Sequence, residues 1–168
     1  MSNRILFLVS FFALLIMQPS IAAAELKVGY FNFGQILQNV PQTREAEKKL
    51  EAEFEPKKKE ISDLQEKIKK MATDYEKNKL VMSENDLVKI QSDLRAQERE
   101  YKLLVQDYQD DLSIRRNQEM STIQKLIYQE ALEIAKAGTY DLLLQNGVIY
   151  ASAKVDITAQ ILKSLSEK

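Results

Sequence analysis

Between residues 42 and 137, apolar side chains recur at spacings of three and four among dense charges of both signs, with no glycine and a single proline, Pro56. Phe54, Ile61, Ile68 and Tyr75 fall seven residues apart, and Leu50, Leu64 and Met71 fill the alternate position of the same seam. So narrow a stripe belongs to a helix packed on another helix. The ladder pauses between Leu80 and Leu87, where Ser83 can cap a helix N-terminus and Asp86 can return the bond. Met82 and Leu87 fit a hydrophobic staple around that cap. The seam resumes through Leu87, Ile90, Leu94, Tyr101, Leu104 and Tyr108, then drifts through Leu112, Ile123, Ile127 and Ile134. Such drift implies that packing partners change along the second helix. Gly138, following Lys136 and Ala137, supplies a C-terminal cap with a cation in the last turn. The pattern predicts an antiparallel helical hairpin over residues 42–137, with arms of about 60 and 80 Å.

The flanking pieces, residues 25–41 and 138–168, carry strand signals. Val28, Tyr30, Phe31 and Phe33 make the first piece rich in aromatic and β-branched residues. In the second, Leu142, Leu143 and Leu144 lead through Asn146-Gly147 to Val148, Ile149 and Tyr150, which predicts a β-hairpin. Short helices are expected over residues 34–40 and after Asp156, with Ile157, Ile161 and Leu165 on one face of the last. The fold class is α+β, a long hairpin projecting from a small β-sheet body. A body this small, without a disulfide, buries too little apolar surface to carry so long an arm, and its strand edges stand open. Self-association through the sheet answers both problems. Val28, Tyr30, Phe31, Phe33, Leu142, Leu143, Leu144, Val148, Ile149 and Tyr150 are therefore the expected oligomerisation residues. The alternative is a monomer whose short helices cover the sheet.

Arg4 precedes residues 5–17, apolar except for Ser10, and Gln18, Pro19 and Ala22-Ala23-Ala24 follow. Residues 1–24 thus read as a secretory signal peptide cleaved after Ala24. The apolar run is shorter than the roughly 20 residues that an uncleaved membrane anchor needs. Residues 25–168 are then expected to be exported and soluble. The absence of cysteine fits an oxidising compartment but provides no staple. Without Arg4, 23 basic residues face 25 acidic ones, a balance that predicts no general attraction to nucleic acid. The chain has no histidine, no cysteine and no glycine-rich phosphate loop. Its carboxylates lie in alternating-charge helices, and Asp110 and Asp111 point to different helix sides. No catalysis, cofactor or metal site is expected.

The order of these parts, with Val28-Gly29-Tyr30-Phe31-Asn32, Gln35-Ile36-Leu37, the charged hairpin, Tyr140-Asp141-Leu142-Leu143-Leu144, Ile149-Tyr150-Ala151 and Val155-Asp156-Ile157-Thr158, resembles the Skp/OmpH family of periplasmic chaperones. The resemblance spans residues 25–168, and its most specific part runs from Tyr140 to Thr158. It implies a jellyfish-like homotrimer in which strands close a β-barrel and three helical tentacles enclose a cavity. It also implies a periplasmic holdase that uses no nucleotide and keeps unfolded outer-membrane β-barrel proteins from aggregating. Members of that family are strongly basic, which favours acidic clients and lipopolysaccharide. Here residues 42–137 hold 19 basic and 21 acidic side chains. Contact with lipopolysaccharide or anionic membrane is therefore expected to be weak, and no basic motif assigns it to named positions.

A holdase needs many weak apolar contacts, multiplied across several arms. Val81, Val88 and Val105, off the seam, and the adaptable thioethers Met71 and Met82 are candidate client contacts, each with packing inside the hairpin as its alternative. The lysines at 57–59 and at 67, 69 and 70 read either as a local basic patch or as a solvated face paired with Glu60, Asp63 and Glu66. Pro56 removes one helical hydrogen bond and clashes with the carbonyl of Ala52. It is a candidate hinge between body and arm, or else a fixed bend. A structural or adaptor coiled coil of the cell envelope is the competing reading of the heptads, but it calls for a second apolar face, and only one regular stripe is present.

Overall fold

A computed structural model describes residues 25–168, so the expected signal peptide lies outside the described residues. The chain forms β1 (Val28–Tyr30), α1 (Phe33–Asn39), α2 (Pro41–Asn78), α3 (Glu84–Ala137), β2 (Leu142–Leu144) and α4 (Thr158–Ser166). Helices α2 and α3 are the two arms of the hairpin. Their boundaries follow from local chemistry. Pro41, with no N–H to leave unpaired, opens α2 at its first position. The Ser83 hydroxyl accepts from the Asp86 N–H at 3.2 Å and donates to the Asp86 carboxylate at 2.6 Å. The returning bond of the expected capping box thus goes to the Ser83 hydroxyl instead of its backbone N–H.

Helix α3 ends at Gly138, as expected, but the left-handed residue is Thr139 at φ 53°, while Gly138 sits at φ −86°. The need for glycine is steric. A Cβ at position 138 would lie 2.6 Å from the Tyr140 ring, which folds back over the helix end.

The body is built on a parallel pair, β1 with β2, in the register Val28 to Leu142 and Tyr30 to Leu144. On the other side of β1, Tyr30 donates to the Val155 carbonyl at 2.7 Å and accepts from the Ile157 N–H at 2.8 Å. Both edges of β1 are occupied within one chain. The expected hairpin through Asn146-Gly147 does not form; residues 145–151 are irregular, although Gly147 takes φ 75° as a turn glycine can. Phe33, expected in the first strand, instead opens α1, because the Asn32 side chain accepts from the Gln35 N–H at 3.0 Å and starts a helix there. Asp156 caps less directly than expected. Ile157 is the N-cap residue of α4, and the Asp156 carboxylate accepts from the Thr158 N–H at 2.8 Å.

The core lies where the root of α3 meets α1 and α4. Ile36, Val40, Ile127, Ile161 and Leu165 are fully buried there, with Phe31, Ile123, Ile134 and Ile157 around them. The drift of apolar positions along α3 is thereby explained, since its distal part faces α2 alone and its root faces α1 and α4. Glu130 is a buried charge in this core, bonded by Ser164 and by Lys168 at the chain end.

Candidate functional site

The hairpin seam is half-buried along most of its length. Leu50 and Phe54 are buried near the body, but Ile61, Leu64, Ile68, Met71 and Tyr75 keep partial exposure, as do Leu87, Ile90, Leu94, Tyr101, Leu104 and Tyr108 on α3. Two helices alone cannot enclose the stripe between them. In the distal arm, the Gln91 amide bonds the Tyr75 hydroxyl across the seam at 2.7 Å.

Near the body, polar contacts replace apolar ones on one flank of the seam. Lys49 pairs with Glu119 at 3.0 Å, Arg115 with Glu53 at 2.9 Å, and Lys57 with Asp111. The residues rise by four along α2 and fall by four along α3, so each helix contributes one line of side chains to an antiparallel ladder. Among the described residues, these are the ion pairs that cross between the two arms, and all lie in the proximal part of the hairpin. The Arg115 hydrogen bond holds the Glu53 carboxyl below its ordinary pKa, and the Asp111 hydrogen bond raises that of Lys57. Sequence reading missed the ladder because it depends on the register between helices far apart in the chain.

The opposite flank is open. A cleft of about 390 Å³ has a floor of Leu50, Phe54, Tyr108 and Leu112, with the rings of Phe54 and Tyr108 edge to face at 5.8 Å. Its α2 lip carries Glu47, Glu51, Glu55 and Lys58, and its α3 lip carries Arg116, Met120 and Glu119, the last also a rung of the ladder.

The candidate client contacts separate into two groups. Val81 and Val88 are well exposed, at 84% and 60%, whereas Met71, Met82 and Val105 are half-buried. Leu80, beside Val81 in the turn, is 91% exposed and was not singled out from the sequence, where it read only as the end of a seam. Leu103, Ile114 and Leu132 are also exposed on α3. Their off-seam positions were the available signal. Separated by 11 and 18 residues, they fall on one side of the helix but form isolated points and not a stripe. Pro56 lies inside an unbroken α2, between the Glu53 and Lys57 rungs.

On the body, Leu142, Leu144, Ile149 and Tyr150 are exposed. Val28, Tyr30, Leu143 and Val148 are half-buried. Phe31 is buried in this chain's own core, and Phe33 packs against it with its ring 5.7 Å from that of Tyr128. No group of carboxylates among the described residues is arranged to hold a metal ion, and no described helix is long and apolar enough to cross a membrane.

Comparison with known proteins places these features in context. The family described as outer membrane protein (OmpH-like) matches residues 27–165. A chaperone protein Skp of Yersinia enterocolitica is 30% identical over 144 residues, covering 83% of this chain and 85% of that protein. The chaperone protein Skp of Escherichia coli K12 is 29% identical over 150 residues, covering 86% and 89%. Among solved structures, an OmpH-like protein of Caulobacter crescentus superposes with a TM-score of 0.77 over 91% of each chain at 16% identity. That likeness is one of fold.

Proposed function

The chain belongs to the OmpH-like family, and from that premise we propose that it is an ATP-independent periplasmic holdase that encloses unfolded outer-membrane β-barrel proteins and prevents their aggregation. The kinship with Skp chaperones supports a chaperone role. The observation that carries the holdase reading is the exposed aliphatic tip, Leu80, Val81 and Val88, held at the end of a long charged hairpin. Such a tip has no function in the stability of one chain, and apolar groups on an extended arm offer weak, non-directional contacts to any unfolded polypeptide.

Enclosure requires several arms. The outer edge of β2 carries exposed Leu142 and Leu144, and Ile149 and Tyr150 project beside it. These residues, with Val28, Tyr30, Leu143 and Val148 behind them, close a β-barrel between three copies in this reading. Each edge then pairs with its neighbour. Phe31 and Phe33 act from beneath, by fixing the body that presents those edges. Export through cleavage after Ala24 delivers the chain to the periplasm. Near-neutral arms leave lipopolysaccharide and anionic membrane as weak contacts at most. The isolated positions of Leu103, Ile114 and Leu132 do not supply the continuous second face that an adaptor coiled coil needs.

Light scattering tests the reading. A denatured outer-membrane β-barrel protein diluted into buffer is expected to stay clear with one equivalent of trimer and without nucleotide. Aggregation at the same rate with and without the protein would refute it.

A further inference from the structure

The two flanks of the hairpin root differ in a way that stability alone does not explain. One flank is closed by three ion pairs, while the other is an apolar cleft left open to solvent, floored by Leu50, Phe54, Tyr108 and Leu112. Glu47, Glu51 and Glu55 line its α2 lip at intervals of four, and so share one side of that helix. Glu55 approaches Lys58 at 3.8 Å; Glu47 and Glu51 enter no ion pair among the described residues. Lys58 shares the α2 lip with these three carboxylates, and the facing lip contributes Met120, an adaptable apolar side chain, with Arg116 and Glu119, so four carboxylates face two cations around the cleft.

We infer that this cleft is a client subsite that takes one aromatic or large aliphatic side chain of an unfolded polypeptide together with a neighbouring lysine or arginine. The inference rests on the holdase reading and narrows its substrate class. The cleft volume suits a side chain and not a folded surface. Its row of carboxylates meets a cation beside the buried group and repels the phosphate of an anionic amphiphile, which favours polypeptide over lipid. The carboxylates lie along one helix, so an extended segment running parallel to α2 can place its charge against any of them. That tolerance of register is what a binder of many sequences requires. The site is also rigid on its far side, because the ion-pair ladder fixes the separation of the helices that form its floor.

The chain contains no tryptophan, so a peptide carrying one reports its own burial by fluorescence. The test uses residues 25–168 and two short peptides with a single tryptophan, flanked by lysines in one and by glutamates in the other. The lysine peptide is expected to shift its emission to the blue and to bind about tenfold more tightly than the glutamate peptide. The double variant Glu47→Lys/Glu51→Lys, at two exposed positions, reverses that order. Met120→Gln weakens both peptides with unchanged helical circular dichroism. Equal affinity of the two peptides, or emission that stays that of water-exposed indole, overturns the inference. So does a disulfide formed by Met120→Cys with a second copy of the chain that excludes peptide, since the cleft would then be an interface between copies. Aggregation assays on the same variants separate the two readings. Suppression without peptide discrimination removes only the subsite, whereas discrimination without suppression removes only the holdase.

Discussion

Arg115 grips Glu53 through two nitrogens, Nε to Oε1 at 2.9 Å and Nη2 to Oε2 at 3.0 Å, three residues before the proline in α2. Lys57 meets Asp111 on the other side of that proline. Pro56 is thus held between two rungs of a ladder. The geometry favours a fixed bend over a free hinge. Spin labels placed at the tips are expected to give the same distance distribution in Pro56→Ala as in the parent. Glu53→Gln/Lys57→Gln, or about 0.5 M salt, broadens it by weakening the exposed pairs. Broadening in neither case, with a marked change in Pro56→Ala, would restore the hinge.

The ladder also loses strength at both ends of the pH scale. Glu53 has its pKa lowered from 4.5, so its contribution is present above that value and declines as pH falls through the lowered one. Lys57 has its pKa raised from 10.5, so its contribution is present below that value and is lost as pH rises through the raised one. Protection of amides at the hairpin root, taken relative to the intrinsic exchange rate at each pH, is expected to be greatest between these limits.

Glu130 is the buried counterpart of these surface pairs. The Lys168 and Ser164 hydrogen bonds hold its carboxyl below the ordinary 4.5, against the opposing effect of burial. Its contribution to stability is therefore complete above the unfolded value and lost as pH falls through the folded one. Glu130→Gln keeps the shape but not the charge and is expected to cost about 1–2 kcal/mol at neutral pH in denaturant titration. The difference from the parent should narrow as pH falls below 4.5 and through the lowered value.

Gly138→Ala probes the end of α3. Its φ is open to any residue, so what opposes the new methyl is the 2.6 Å approach to the Tyr140 ring, with the Ile134 carbonyl oxygen at 3.1 Å behind it. Displacing that ring disturbs its stacking under the Lys27 ammonium, 4.5 Å from the ring centre, and is expected to cost about 1–3 kcal/mol. A stability equal to the parent's would show that the ring moves aside freely.

At the tip, Leu80→Asp/Val81→Asp removes exposed apolar area without touching the seam. Thermal unfolding is expected to change by less than about 0.5 kcal/mol, because nothing packs on these side chains. Suppression of client aggregation should fall several-fold. Full activity in this variant would move client contact away from the tip.

The sequence disclosed the parts that depend on local chemistry. Ser83 and Gly138 bound the second arm, the three-four spacing of Phe54, Ile61, Ile68 and Tyr75 identified the seam, and the drift at Ile123 and Ile127 pointed to a change of partners. The misreadings arose where sheet pairing or a local cap overrode strand propensity. Asn146-Gly147 has the chemistry of a hairpin turn, but residues 145–151 stay irregular and Val148 to Tyr150 leave the outer edge of β2 unpaired in their own chain, while residues 155–157 bond to the far edge of β1. Phe33 has strand propensity, yet the cap formed by the preceding residue, Asn32, commits it to a helix. The cleft and the ladder depend on which faces of α2 and α3 meet, and that register is a property of the packed pair.

Native mass spectrometry of residues 25–168, alone and after dilution of a denatured outer-membrane β-barrel protein, tests the central claim most directly. The account predicts a trimer that gains one client chain and, in the complex, shields that client from protease. A chain that stays monomeric, or an assembly that acquires no client at micromolar concentration, would contradict it.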